Sequence, residues 1–178
     1  MANWMKQINK SASHVLEPGE EFLAAQQLSR SSVVATGEGT GFALGSVIGG
    51  AAAHITDKRR AKREDERQQE VAETTGVPEA DVEWPGSEAL VAYTGRRLLF
   101  FGMKGLAKAG EVFLEIPRDR LARVDRVDVE GNLSAGRVKT MQVRFVRTDG
   151  TAVSGHAPNM GVTAKRLKAF LDTIDGAA

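Results

Sequence analysis

The sequence predicts an α+β protein built on a partly closed antiparallel β-barrel, with a helix that caps the barrel near the carboxyl end of the chain. Short β-rich runs separated by turn signals fill the second half of the chain. Asp149-Gly150 is a dipeptide typical of tight β-hairpins. An amphipathic helix is predicted from four apolar residues at the spacing of one helix face: Leu167, Phe170, Leu171 and Ile174.

The amino-terminal part begins with residues 1–15, a short amphipathic segment. Its apolar residues at helical spacing are Trp4, Met5 and Ile8. Pro18-Gly19 then marks a turn. The run Glu21–Ser29 predicts the first strand of the barrel.

A long insertion follows this first strand, and its most unusual feature is a glycine at every fourth position. On a helix, Gly41, Gly45 and Gly49 lie along one side, where another backbone can approach closely. The apolar part continues into charged residues that are good helix formers. We therefore expect an inserted glycine-zipper helix from about 41 to 73, within an insertion and linker that span 37–85.

The remaining strands are predicted from β-rich runs and from the turns between them. Thr94-Gly95-Arg96 separates two such runs as a hairpin turn, whereas Gly131-Asn132 and Gly136 predict a loop. Further on, apolar residues alternate with Gln142 and Arg144, which is typical of an antiparallel strand with one buried face. The expected strands cover 90–94, 97–101, 111–116, 121–129, 141–145 and 151–156.

These elements divide the chain into a barrel domain, formed by 16–30 and 86–175, with the insertion between its two parts. A meander of this kind leaves strand edges exposed. Curling into a partly closed barrel, with the carboxyl-terminal helix at an open end, relieves that exposure best.

Three motifs carry a resemblance to a known superfamily. They are Leu16-Glu17-Pro18-Gly19-Glu20, Thr94-Gly95-Arg96-Arg97-Leu98-Leu99-Phe100 and Ile116-Pro117-Arg118-Asp119-Arg120-Leu121. Together with the order of the elements, they resemble the pleckstrin-homology-like superfamily, in particular bacterial PH-like and GRAM-like domains. The resemblance implies a non-catalytic module that binds lipid headgroups, membranes or proteins. It also implies that cations next to the hairpin loops, here Arg96, Arg97 and Lys104, rim an anion-binding mouth.

Composition excludes several classes of function. The net charge of +1 argues against a nucleic-acid-binding protein, whose surface would be basic overall. The chain has no cysteine, and its three histidines do not fall at metal-ligand spacing. A P-loop and a nucleophile elbow are also missing from the sequence. We therefore expect no enzymatic activity, no catalytic or metal-binding residues and no cofactor.

A run of basic residues follows the apolar part of the insertion. Its five cations are Lys58, Arg59, Arg60, Lys62 and Arg63. One interpretation is a solvated helix face, balanced by the carboxylates that come directly after it. The other is a cluster that binds an anionic surface, where each Lys or Arg contributes about 1 kcal/mol.

The glycine stripe has three interpretations: packing against the barrel, packing against a second copy of the chain, or contact with a membrane. Residues 39–56 carry no formal charge, and this stretch of 18 residues is at the lower limit for a membrane span. Its many glycines and alanines contribute little insertion energy. Since the amino terminus has no apolar stretch typical of a secretory signal, we expect a cytoplasmic protein, with a membrane-peripheral location as the alternative.

The function that these observations favour is a non-enzymatic binding module that engages a protein partner or an anionic membrane surface. In this hypothesis the inserted helix mediates docking or self-association. The alternative is a structural, self-assembling homo-oligomer in which the barrel is a scaffold without a lipid role.

Overall fold

The computed structural model describes residues 4–30, 76–104, 108–133 and 136–176, with the side chains of residues 130–138 excepted. The inserted glycine-zipper helix and the basic run 58–63 lie outside the described residues. The domain boundaries proposed around them therefore stay predictions.

The described chain contains two α-helices and seven β-strands. An amino-terminal helix, a short 3₁₀ turn and the first strand precede the insertion: α1 (Trp4–Ala12), Ser13–Val15 and β1 (Ala24–Ser29). The other elements follow it: β2 (Glu88–Tyr93), β3 (Arg97–Lys104), β4 (Lys108–Pro117), a 3₁₀ turn (Arg118–Arg120), β5 (Leu121–Leu133), β6 (Gly136–Arg147), β7 (Ala152–Pro158) and α2 (Gly161–Asp175).

The strands form one antiparallel sheet in the order β4-β3-β2-β1-β7-β6-β5. Two meanders, β1–β4 and β5–β7, meet where Ser29 of β1 pairs with His156 of β7. The predicted α+β class with a carboxyl-terminal helix is confirmed.

The sheet is not closed, in contrast to the partly closed barrel that the sequence predicted. Its two edges are β4 and β5. Pro117, which has no N–H to donate, ends β4, and the turn Arg118–Arg120 then carries the chain to β5. The two edge strands are thus joined in sequence without forming a ladder of hydrogen bonds.

The hairpin β2–β3 is buried on both faces, and this explains its continuous apolar runs. Leu98 and Phe100 belong to one core, which α2 covers with its apolar face. Leu99 and Phe101 point to the opposite face and pack in a second core that includes Ile8 of α1. The inner face of the sheet therefore faces α2, and the outer face of β1–β4 lies under α1.

One predicted loop is part of the sheet instead. The sequence indicated a loop at Gly131-Asn132, but β5 continues to Leu133 and pairs Gly131 with Val138. Pairing along the whole β5–β6 ribbon outweighs the weak strand preference of glycine and asparagine.

The connection between β1 and β2 leaves and rejoins the sheet at adjacent positions. The Arg30 backbone N–H donates to the Ser87 carbonyl at 2.8 Å, one step beyond the pair Ser29–Glu88. The antiparallel strands β1 and β2 are therefore neighbours in the sheet, although the segment 31–86 separates them in sequence.

A close backbone approach occurs where β1 meets β7. A Cβ atom at Gly155 would lie 2.8 Å from Leu28 Cβ and 3.4 Å from the Trp84 ring. Leu28 and Trp84 both belong to the inner core. Only a residue without a side chain therefore lets β1 pack this closely against β7.

We expect Gly155→Ala to destabilise the protein by about 1–3 kcal/mol, because the new methyl group overlaps the buried Leu28 side chain. Urea unfolding followed by tryptophan fluorescence measures the effect. Gly86→Ala is the matched control, since nothing lies within 4 Å of a Cβ built at Gly86. Equal stability of the two variants would contradict the close packing of β1 on β7.

Candidate functional site

A groove of about 280 Å³ opens between α1, the start of β1 and α2. Its lining residues are Trp4, Met5, Leu23, Ala24, Ala25, Arg166, Ala169, Phe170 and Thr173. Seven of these nine residues have apolar side chains, and the charged side chain among them is Arg166, although polar and apolar atoms contribute about equally to the groove surface. A concave surface that combines apolar side chains with polar groups is typical of binding sites.

The groove forms because a helix covers each face of the sheet. Helix α1 covers the outer face and α2 covers the inner face, so the edge of β1 lies between them. Leu23, directly before β1, is 43% exposed at this position. An apolar side chain of that size at the groove adds to its apolar surface.

An ionic cluster around Arg97 lies at the same end of β1–β3 as Leu23, because Ala24 pairs with Tyr93 and Tyr93 pairs with Leu98. Its guanidinium contacts Glu20 through Nε at 3.0 Å and Nη2 at 2.7 Å, a bidentate pair. The same side chain reaches Glu115 at 3.0 Å and donates to the Val15 carbonyl at 3.2 Å. Arg97 thus joins the segment before β1 to β3 and β4.

The turn Pro18-Gly19 places Glu20 in this cluster. Gly19 has a φ of +77°, which glycine adopts without strain, and the Glu20 N–H donates to the Glu17 carbonyl at 3.0 Å. The Thr94 hydroxyl also donates to Glu20, at 2.6 Å. The hydrogen bonds from Arg97, above all, lower the pKa of the Glu20 carboxyl from 4.5 to about 2. The pKa of Arg97 is raised by the same contact.

A second ionic pair is buried on the outer face of β6 and β7. Arg144, 0% exposed, contacts Glu79 through Nε at 3.2 Å and donates from Nη2 to the Val77 carbonyl at 2.6 Å. The Ser154 hydroxyl donates to the same Glu79 oxygen at 2.5 Å. These contacts hold residues 77–80 beside β7, where the Ala80 N–H donates to the Ala152 carbonyl at 2.7 Å.

The burial of Arg144 corrects an expectation from the sequence. Alternation along β6 placed Gln142 and Arg144 on a solvent-facing side, but both are buried. The reason for Arg144 is tertiary: Glu79 and the Val77 carbonyl supply the polar partners that let its guanidinium leave water. A period-two pattern reports which residues share a face, and it does not report what covers that face.

The hairpin-loop cations that the resemblance placed at one anion-binding mouth are spread along β3. Arg96 and Arg97 lie at its start and Lys104 at its end, and a strand of 8 residues separates these positions by roughly 23 Å. The Arg96 side chain is 61% exposed and lies 3.9 Å from Glu17, and the Lys104 side chain is 69% exposed and lies 3.9 Å from Glu111. The structure therefore does not bring these three cations together, and their binding role stays a prediction.

A second cleft, of about 310 Å³, lies where the end of β4 meets the β6–β7 turn. Its lining includes Arg120 and Arg147 together with the carboxylates of Glu115 and Asp149. Glu115 is paired with Arg97 at 3.0 Å, and Asp149 with Arg147 at 2.8 Å. Because charges of both signs line this cleft, it has no clear preference for an anion or a cation.

Comparisons with family models, curated proteins and solved structures give no match for this chain. Within the described ranges, no group of three or more His, Cys, Asp or Glu side chains is arranged to hold a metal ion. Neither α1 nor α2, the helices that the structure describes, has the length and apolar content needed to cross a bilayer.

We expect Glu20→Gln to lower the free energy of unfolding by about 2–3 kcal/mol at pH 7, because the carboxylate partner of Arg97 is lost. Since the pKa of Glu20 is lower in the folded state, its stabilising contribution is present above pH 4.5 and is lost as the pH falls toward 2. The two proteins should therefore converge in stability over that range. Urea unfolding at a series of pH values measures this, and Glu21→Gln is the control at an exposed neighbour. A difference that does not change with pH would contradict the assignment.

We expect Glu79→Ala to destabilise the protein by about 2–3 kcal/mol, because the buried Arg144 guanidinium loses its carboxylate partner. Asp81→Ala, at an exposed position two residues further on, should change stability little. Hydrogen exchange of the Ala80 amide, measured by NMR, should accelerate in Glu79→Ala and remain slow in Asp81→Ala. Unchanged protection in Glu79→Ala would show that the ionic pair does not hold this segment.

Proposed function

We propose that the chain is a non-catalytic, PH/GRAM-like binding module of the cytoplasm, and that its described part engages a protein partner. The observation that carries this proposal is the groove between α1, β1 and α2, lined by Trp4, Met5 and Phe170, with the exposed Leu23 at its side. The order of the elements, two antiparallel meanders followed by one carboxyl-terminal helix, supports a PH-like fold.

The contacts of the charged residues also favour a binding role. Arg97 is held by Glu20, and Arg144 by Glu79. Each pair joins a segment outside the regular sheet to a strand. These side chains therefore hold chain segments in place. This is the role expected of charged residues in a scaffold that supports a binding surface.

An anionic membrane surface is the second candidate, and a charge asymmetry favours it. Residues 84–178 carry 15 Lys plus Arg against 10 Asp plus Glu, whereas the whole chain has a net charge of +1. In this proposal Lys58, Arg59, Arg60, Lys62 and Arg63 join Arg96 and Lys104 in contacting anionic headgroups at a membrane-peripheral location. Against it, Arg96 and Lys104 each lie within 3.9 Å of a carboxylate, which weakens their attraction for an anionic surface.

Selection from a displayed random peptide library and co-sedimentation with vesicles test these proposals on the full chain. We expect enrichment of peptides with a shared pattern, and no sedimentation with either phosphatidylcholine or phosphatidylserine vesicles. Salt-sensitive sedimentation with phosphatidylserine vesicles alone, lost when the five cations of 58–63 are replaced by Gln, would favour the membrane surface. The absence of enriched peptides would overturn the protein-binding proposal.

Light scattering on the same preparation addresses self-association. If the glycine stripe joins copies of the chain, a Gly45→Leu variant of an oligomeric wild type should have a lower mass, because leucine blocks close helix approach. An oligomer of unchanged mass would count against the stripe. An oligomeric wild type that selects no peptide would point to the self-assembling scaffold instead.

A further inference from the structure

The strand β5 forms one edge of the sheet, and β6 pairs with it on the other side. The Asn159 N–H donates to the Lys139 carbonyl at 2.9 Å, so the odd-numbered residues of β6 direct their backbone groups toward β7. The even-numbered residues therefore bond to β5. Among them Gln142 pairs with Val127, so the backbone groups of Val127 are directed into the sheet.

The two residues on either side of Val127, Arg126 and Asp128, direct their N–H and carbonyl groups out of the sheet, because the direction alternates along a strand. Both side chains are exposed. Within the described ranges, no hydrogen bond engages these outward backbone groups. An edge of this kind is a template for a further strand.

Charged side chains on an edge strand usually oppose pairing with another chain. The order of the charges in β5 permits it with a second copy. If a two-fold axis perpendicular to the sheet passes through Val127, residue 126 of each copy lies opposite residue 128 of the other. Arg126 then faces Asp128 of the second copy, and the symmetry produces this pair twice. Opposite charges at facing positions stabilise an antiparallel pair.

The same charges disfavour the neighbouring registers. An axis through Arg126 would place two arginines opposite each other, and an axis through Asp125 or Asp128 would place two aspartates opposite each other. Like charges at facing positions are destabilising. In the register centred on Val127, the two valines face each other as a pair without mutual hydrogen bonds, in which side chains approach closely. One register is therefore favoured over those beside it.

Contacts within the chain leave both charged side chains able to form the pair. Arg126 donates from Nη2 to Asp175, and its Nε and Nη1 groups have no partner among the described residues. Asp128 accepts the Asn159 Nδ2–H on Oδ1 at 3.0 Å, and its Oδ2 has none within the same ranges. A guanidinium and a carboxylate each therefore keep hydrogen-bonding groups for a second copy.

We infer that two copies of the chain associate by antiparallel pairing of β5 with β5, centred on Val127, so that the two sheets form one continuous sheet. The edge of β5 lies outside the lining of the groove between α1, β1 and α2. It is also separate in sequence from the glycine stripe. The inference is therefore independent of the proposed protein binding.

Sedimentation velocity of the full chain over a range of concentrations measures the association. The variant Arg126→Glu places carboxylates opposite each other, and Asp128→Arg places guanidinium groups opposite each other. When the two variants are mixed, a heterodimer again has opposite charges at both facing pairs. Lys165→Glu, a charge reversal at an exposed position on α2, is the matched control.

We expect the wild type to dimerise in a concentration-dependent manner, with association about tenfold or more weaker in each single variant. Association should be unchanged in Lys165→Glu and restored in the equimolar mixture of the two variants. Hydrogen exchange of the Arg126 and Asp128 amides, measured by NMR, should slow as the wild-type concentration rises. Because this readout uses the wild type, it does not depend on the folding of a variant.

The inference is overturned if the wild type remains a monomer at about 100 μM. Equal association of the wild type and either single variant would also overturn it, as would the absence of a heterodimer in a mixture of the two folded variants. Exchange of the two amides that does not change with concentration would exclude the β5 contact even in an oligomeric wild type. That result would assign the association to another surface.

Discussion

The architecture depends on one constraint: the hairpin β2–β3 is apolar on both faces, and each face must be covered by another element. Phe100 and Phe101 are adjacent in sequence and fully buried in different cores. Burying two such side chains contributes roughly 3–6 kcal/mol, and a sheet with one exposed face could retain only half of it. Helices α1 and α2 are therefore both required, and the edge of β1 between them becomes a groove.

Two ionic clusters hold the pieces that are not part of a continuous ladder. Arg97 joins the Val15 carbonyl and Glu20 to β3, and this fixes the connection between α1 and β1. Arg144 fixes residues 77–80 against β7 through Glu79. In both cases a guanidinium on a strand of the sheet binds a carboxylate on a segment outside the regular sheet. The planar fork of arginine, which makes several directed hydrogen bonds at once, suits this task.

The parts of the fold that depend on local patterns could be predicted from the sequence. The β2–β3 and β6–β7 hairpins, the break at Pro117 and the apolar face of α2 follow from alternation, turn residues and helical spacing. The parts that depend on distant partners could not. Nothing local marks Arg144 as buried, since its partner Glu79 lies 65 residues away. Likewise, closure of the sheet into a barrel requires β4 and β5 to lie close enough to pair. The geometry of the whole sheet determines whether they do.

The groove also depends partly on local sequence patterns and partly on residues that are distant in the sequence. The spacing of Trp4, Met5 and Ile8 indicates an apolar helix face, but not the strand edge beside which it lies. Recognising the groove requires the position of α1 on the outer face of the sheet, set by Leu99 and Phe101. The helix was thus predictable and its role was not. The cations Arg96, Arg97 and Lys104 show the opposite case. They lie close together in the sequence, but β3 holds them apart in space.

The hydrogen bond between Arg30 and Ser87 has a consequence for how this protein can change over evolutionary time. It fixes the two ends of the 31–86 connection side by side, and within this connection Glu79 and Trp84 contact the sheet and its core. The sheet therefore constrains the residues from Val77 onward, but not how many residues separate Arg30 from Val77. Tolerance of this kind differs sharply from that of the β1–β7 junction, where Gly155 leaves no room for even one methyl group. Related proteins should therefore differ most in the length and composition of the chain between Arg30 and Val77, while the contacts made by Glu79 and Trp84 are retained.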